Sequence, residues 1–215
     1  RHAPRVVKIV GDAGWERAVR KGWIPPTEDI DVFQTRRYGL TVTFQQQTRA
    51  RQVRAMQGVI VPSQYLKRMV IGWGVPADQI HVIYNALPPD SATLDVSQTA
   101  ARARLKLGDE PIFLTVARLT PWKGVNHLIT ALAHVPDVRL IVAGDGEEQP
   151  ALQQQAAAAG LSDRVTFLGR VSRQQVALYM KAADYTVLYS GYEGLSHTLL
   201  ESLRAGTPVI ASAKG

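Results

Sequence analysis

The sequence predicts an α/β protein built on parallel sheets, and three observations carry that prediction. From Ile112 onward, short apolar runs alternate with helix-permissive stretches and short connections, the pattern of repeated β-α-β units. The runs, such as the IFL of 112–114 and the LIVA of 140–143, are continuously apolar rather than alternating, as in strands covered by helices on both faces. Before Ile112 the same vocabulary appears in a looser form, separated from the rest by the Pro- and Ser/Thr-containing stretch ALPPDSATLDVSQTA.

Val6–Val10 reads as a strand ended by Gly11-Asp12, and Trp15–Gly22 as a helix. Pro25-Pro26 breaks the chain, and TEDID then supplies capping residues. Residues 34–56 are polar, basic and helix-permissive, although Gly39 and Thr41-Val42-Thr43 weaken the first third. Gly58–Val61 is a strand closed by Pro62. Ser63 caps a helix running to about Trp73, and Ile80–Tyr84 is a further strand. A linker with one short helix, Gln98–Leu107, occupies 89–110 between domains at 1–88 and 111–215. Strands follow at 112–117, 138–143, 165–168, 185–188 and 209–211, with helices near 123–134, 147–159, 172–182 and 196–205.

Composition narrows the chemistry. The 215 residues contain no cysteine, which excludes disulfides, thiolate ligands and cysteine nucleophiles, and fits a reducing, cytoplasmic setting. No apolar run approaches the ~20 residues of a spanning helix. No basic n-region followed by an apolar h-region opens the sequence. The net charge of +7 is uneven. Residues 1–90 carry 13 basic and 7 acidic side chains (+6), and the remainder 12 and 11 (+1). A basic first part suits an anionic partner or is simply a solvated surface.

Ligands of open parallel sheets bind beyond the carboxyl ends of the strands, and glycine or charge stands at each such end. Arg118 and Lys123 are five residues apart across a turn at Pro121. A planar guanidinium fork with a compact ammonium suits a diphosphate; a solvated pair is the competing reading. Glu193 precedes a helix beginning near Ser196, and Glu201 lies within it. Eight residues span roughly 12 Å if helical, too far for two carboxylates on one bond. Two carboxylates gripping the ends of an elongated ligand, with the helix N-terminus between them holding an anion, is the functional reading. Two unrelated glutamates is the alternative. Gly144-Asp145-Gly146 permits close backbone approach to a ligand or only a tight turn, and no G-x-G-x-x-G follows a strand. His197 stands in the first turn of a helix as a candidate base or a structural histidine. His81, His127 and His134 have no partner at metal-ligand spacing, so no metal site is predicted.

Taken in order, VARLTPWKG, VAGDGEE, RVTFLGRVS and YEGLSHTLLESLRAGTPVIAS resemble the retaining GT-B glycosyltransferases of the "glycosyl transferases group 1", GT4-type family. KIVGDAGWERA, VIVPSQYLKR and ADQIHVIYNAL are similar to the second half of that family's acceptor-side domain. The resemblance implies two Rossmann-like domains with parallel sheets, the N-terminal one incomplete. It implies sugar transfer from a nucleotide-diphosphate sugar to an acceptor hydroxyl with retention, without metal or cofactor. Arg118 and Lys123 would bind the diphosphate, and Glu193 the sugar hydroxyls. Gly194, Leu195 and Ser196 would offer backbone to sugar and phosphate, and Glu201 would hold the ribose. Gly144, Asp145, Arg170 and Val171 would border the base. The implied partners are the donor, a glycan, lipid-linked or small-molecule acceptor, and an anionic membrane touched by the basic first part, with no nucleic acid.

Two departures qualify this. Where many relatives place a histidine after an N-domain strand, this sequence has Asp12, a candidate for the sugar or acceptor side. The sequence begins at Arg1 without methionine and stops at SAKG, so it reads as a piece truncated at both ends. A nucleotide-diphosphate-binding fragment without turnover, or another GT-B enzyme such as a nucleotide-sugar epimerase, are the alternatives.

Overall fold

The computed structural model describes residues 3–88 and 94–214. The first part of the predicted linker, 89–93, lies outside them. Two compact units emerge. One comprises the chain up to Asn85 with Tyr192–Leu195 and Lys214; the other comprises Ala86–Gly191 and Ser196–Ala213.

The first unit carries a three-stranded parallel sheet in the order β1 (Val6–Lys8), β2 (Gly58–Val61), β3 (Ile80–Val82). Around it lie α1 (Ala13–Arg20), α2 (Ile30–Thr35), α3 (Leu40–Arg54) and α4 (Gln64–Gly72). Each helix starts where its sequence offers an oxygen or a glycine. Asp12 accepts from the Gly14 and Trp15 amides, Asp29 from Asp31 N–H, and Ser63 from Leu66 N–H. Gly39 is the N-cap of α3, so it lies outside the helix it was expected to weaken. Thr41-Val42-Thr43 is helical all the same: Val42 is buried, and its burial outweighs the small intrinsic penalty of β-branching. β1 stops at Lys8, two residues short of expectation, yet the Ile9 amide still donates to the Ile60 carbonyl. Trp15, Phe33, Val59, Val61, Leu66 and Val70 form the heart of this core.

The second unit is a five-stranded parallel sheet ordered β6 (Val165–Gly169), β5 (Arg139–Ala143), β4 (Ile112–Val116), β7 (Tyr185–Leu188), β8 (Val209–Ala211). Its continuous apolar strands are buried on both faces. Successive residues of β5 enter opposite cores: Leu140 and Val142 join Val125, Ile129 and Leu152, while Ile141 and Ala143 join Ile112, Leu114 and Met180. The first core receives α6 (Val125–Leu132) and α7 (Gln149–Ala158), and the second receives α8 (Arg173–Ala182). The helix α5 (Gln98–Leu105) precedes the sheet. Arg102 ties it to Asp184 at 2.7 Å, and the same carboxylate accepts from the Ile112 amide at 2.6 Å. The last helix, α9 (His197–Arg204), is anchored by Ser202, which is fully buried and bonded to Thr186 Oγ1 and the Thr207 carbonyl.

α8 begins with a capping box in which Ser172 accepts from Gln175 N–H and the Gln175 side chain accepts from Ser172 N–H. Ser172→Ala is expected to lower unfolding free energy by about 1 kcal/mol, read from the urea midpoint at unchanged slope. An unaltered midpoint refutes the contribution of the cap.

Candidate functional site

In the second unit the predicted residues gather at the carboxyl ends of four strands. Arg118 and Lys123 stand on the loop after β4, which contains a 3₁₀ turn, Pro121–Lys123. Arg118 is exposed and Lys123 is half-buried. Gly144 and Asp145 follow β5, and Arg170 and Val171 follow β6. Ser196 caps α9, and Glu201 sits within it.

What holds the Arg118–Lys123 loop is backbone packing on two sides. On one side the Ala117 amide donates to the Ala143 carbonyl, Leu119 N–H to the Asp145 carbonyl at 2.8 Å, and Glu148 N–H to the Leu119 carbonyl. Gly144 has φ 130°, and a Cβ there would collide with the Ala117 carbonyl oxygen. A Cβ on Gly146 would collide with the Leu119 carbonyl oxygen. At this glycine pair, expected to allow close approach to a ligand or a tight turn, the close backbone approach is made to the protein's own loop. On the other side Gly191 N–H donates to the Trp122 carbonyl, and Gly124, at φ 64°, leaves room for the Tyr189 carbonyl that any Cβ would strike. The loop carrying the two cations is thus wedged between the β5 and β7 ends.

Asp145 and Arg170, both expected near the base, meet in an ion pair at 3.1 Å. Both are well exposed, so the pair orients side chains more than it stabilises the unit. At the start of α9, Ser196 makes no side-chain cap hydrogen bond. The first amides of that helix therefore have no acceptor from the residue that usually supplies one, which suits an anion. Thr198 Oγ1 reaches the Val116 carbonyl at 3.4 Å and ties this helix start to the end of β4. His197 is exposed at the first helical position.

The remaining predicted residues belong to the first unit. Glu193, Gly194 and Leu195 lie on the segment Tyr192–Leu195. Asp12 has no exposed surface. One oxygen caps α1, and the other accepts from Gln34 Nε2 at 2.9 Å and pairs with Arg49. The Arg49 guanidinium lies 4.1 Å over the Trp73 ring. Asp12 was expected to face sugar or acceptor; the structure gives it a buried role as cap and ion-pair partner. Its sequence neighbours gave no hint of this, because Arg49 is 37 residues away. A cleft of about 540 Å³ opens beside α1 and α3, lined among others by Gly14, Arg17, Phe44, Gln45, Arg49 and Trp73. Sequence reasoning missed it, since α1 and α3 meet only through tertiary packing.

Among the described residues no group of three or more His, Cys, Asp or Glu side chains is placed to hold a metal ion, and no helix is long and apolar enough to cross a membrane.

The two parallel sheets, a smaller one of three strands and a larger one of five, form an α/β architecture of the GT-B type. The chain belongs to the glycosyl transferases group 1 family, whose model matches residues 97–215, and residues 29–91 match the Glycosyltransferase Family 4 model. It is 34% identical over 164 residues to the D-inositol 3-phosphate glycosyltransferase of Mycobacteroides abscessus, covering 69% of this chain and 37% of that protein. Among solved structures it is similar to Anabaena HepE in complex with UDP-glucose (31% identity, TM-score 0.71, 79% of this chain and 50% of that one). It is also similar to sucrose-phosphate synthase from Thermosynechococcus elongatus (26% identity, TM-score 0.79, 98% and 50%). The chain thus spans half or less of the length of these proteins.

Proposed function

We propose that the chain serves a retaining, metal-independent glycosyltransferase that moves a sugar from a nucleotide-diphosphate sugar to an acceptor hydroxyl. One observation carries the reading. The family-matched second unit wedges Arg118 and Lys123 on one loop beside a helix whose N-terminus lacks a side-chain cap. Two cations and free helical amides are what a diphosphate leaving group requires. The likeness to a structure holding UDP-glucose supports a nucleotide-sugar donor.

In this scheme Arg118 and Lys123 bind the diphosphate and stabilise the charge that develops as the bond from the anomeric carbon to phosphate oxygen breaks. The electron pair leaves with the nucleotide. The acceptor oxygen bonds to the anomeric carbon on the same face, and its proton passes to the departing phosphate. Glu193 hydrogen-bonds sugar hydroxyls, and Gly194, Leu195 and Ser196 offer backbone to sugar and phosphate. Glu201 holds the ribose hydroxyls. Asp145 and Arg170, with Gly144 and Val171, border the base. The cleft beside α1 and α3 receives the acceptor, a glycan or a lipid-linked molecule, and the basic first part favours an anionic membrane surface. Because cations and amides neutralise the phosphate, EDTA leaves the reaction unaffected.

Calorimetric titration with UDP, GDP and ADP tests the donor site. One nucleotide is expected to bind. Lys123→Ala and Glu201→Ala are each expected to weaken it by about 1.5–3 kcal/mol, the worth of a hydrogen bond to a charged group, or roughly 10- to 150-fold. Binding of none of the three, or unchanged affinity in both variants, defeats the assignment.

A further inference from the structure

The segment that carries Glu193 is held by a set of contacts that no part of the donor chemistry explains. The Tyr192 ring is buried. It packs edge-on against Trp15 at 5.9 Å between centroids, and against Tyr65 at 6.3 Å. Tyr65 is itself fixed by donating its hydroxyl to Asp31 at 2.8 Å. The Tyr192 hydroxyl reaches the Val10 carbonyl at 3.4 Å, over Gly11, where a Cβ would collide with it. Burial, with Glu16 and Asp12 nearby, keeps this phenol protonated well above its ordinary range. Two residues on, a Cβ at Gly194 would stand 2.6 Å from the Val10 carbonyl oxygen and 2.7 Å from a Leu66 methyl. The chain can lie there only because Gly194 has no side chain. One residue further, Asn85 Nδ2 donates to the Leu195 carbonyl at 3.0 Å, and Asn85 Oδ1 accepts from Lys8 Nζ at 3.3 Å.

These contacts bracket Glu193. An aromatic socket fixes the residue before it, a close backbone approach fixes the residue after it, and an amide hydrogen bond fixes the carbonyl after that. We infer that Tyr192 and Asn85 are positioning residues for Glu193, holding its carboxylate where a donor sugar is gripped. The inference rests on the proposed role of Glu193 and adds the residues that make that role possible. The Tyr192 ring carries the effect and its hydroxyl does not, since the ring makes the aromatic packing while the hydroxyl's bond to the Val10 carbonyl is long.

The test uses the whole chain and two readouts. Backbone ¹⁵N relaxation at Glu193 and Gly194 is expected to give order parameters near about 0.85 in the wild type, and below about 0.6 in Tyr192→Ala and in Asn85→Ala. Tyr192→Phe is expected to restore the wild-type value. Calorimetry with UDP and with UDP-glucose is expected to show UDP affinity unchanged in all three variants. UDP-glucose affinity is expected to fall in Tyr192→Ala and Asn85→Ala to the level of Glu193→Ala, and to be retained in Tyr192→Phe. Order parameters that stay at the wild-type value in both disrupting variants overturn the inference. So does UDP-glucose affinity that stays at the wild-type value, or UDP affinity that falls in the same proportion. Failure of UDP to bind the wild type removes the proposed function instead, and the order parameters then still decide whether the segment is held as described.

Discussion

Asp12→Ala is expected to destabilise the first unit by about 3–5 kcal/mol, the cost of breaking a buried ion pair from one side. The carboxylate is fully buried, while the Arg49 side chain keeps 17% exposure and stays charged when its partner is removed. The substitution strands that guanidinium, frees the Gly14 and Trp15 amides at the start of α1, and removes the acceptor of Gln34 Nε2. Asp12→Ser separates these effects. A serine hydroxyl can still cap α1 but cannot reach Arg49, so it recovers about 1 kcal/mol. Urea unfolding followed by tryptophan fluorescence reads the result directly, because Trp15 and Trp73 both lie in this unit. A wild-type midpoint in Asp12→Ala would falsify the structural role and return Asp12 to the ligand side.

Gly144→Ala is expected to cost about 3 kcal/mol or more, combining backbone strain with a clash against an atom that cannot move aside. Its φ of 130° suits glycine, and the obstructing atom is the Ala117 carbonyl oxygen, part of the backbone that leads into Arg118. Gly160→Ala is the control. That glycine has φ 68° with nothing near its would-be Cβ, so only the left-handed penalty of about 1–2 kcal/mol applies. The two variants should also differ in nucleotide binding. Gly144→Ala displaces the loop carrying both cations and weakens UDP, whereas Gly160→Ala leaves it unchanged. Equal thermal shifts, or equal UDP affinities, would show that the Gly144 contact does not hold the loop.

Most of the strands were legible because burial on both faces writes itself locally, as unbroken apolar runs such as Leu140–Ala143. The helix start at Ser63 was legible for a similar reason, since a cap and the amide that donates to it lie within three residues. The start of α3 was misjudged because Gly39 is punctuation there, and a helix boundary one residue away changes the meaning of a glycine. In the candidate site, the Arg118–Lys123 loop and the glycines at 144 and 146 could be found from strand ends. That the glycines face the protein's own carbonyls could not be found, because the partners lie on another strand's loop. Asp12 shows the same limit more sharply. Its type and position suited a ligand contact, and only the long-range arrival of Arg49, Gln34 and Trp73 reveals a buried network.

The order of the larger sheet bears on how this polypeptide acquires its form as it leaves the ribosome. β1, β2 and β3 pair in the order of synthesis, but β4 at the centre of the second sheet pairs with β5 and also with β7, whose residues emerge long afterwards. Until Tyr185–Leu188 is made, one edge of β4 has no hydrogen-bonding neighbour. Distant parallel pairings of this kind fold slowly and leave apolar strand edges open to other chains in the interval. Shielding of nascent β4–β6 by a chaperone would therefore raise soluble yield, and slow translation before β7 would lower it.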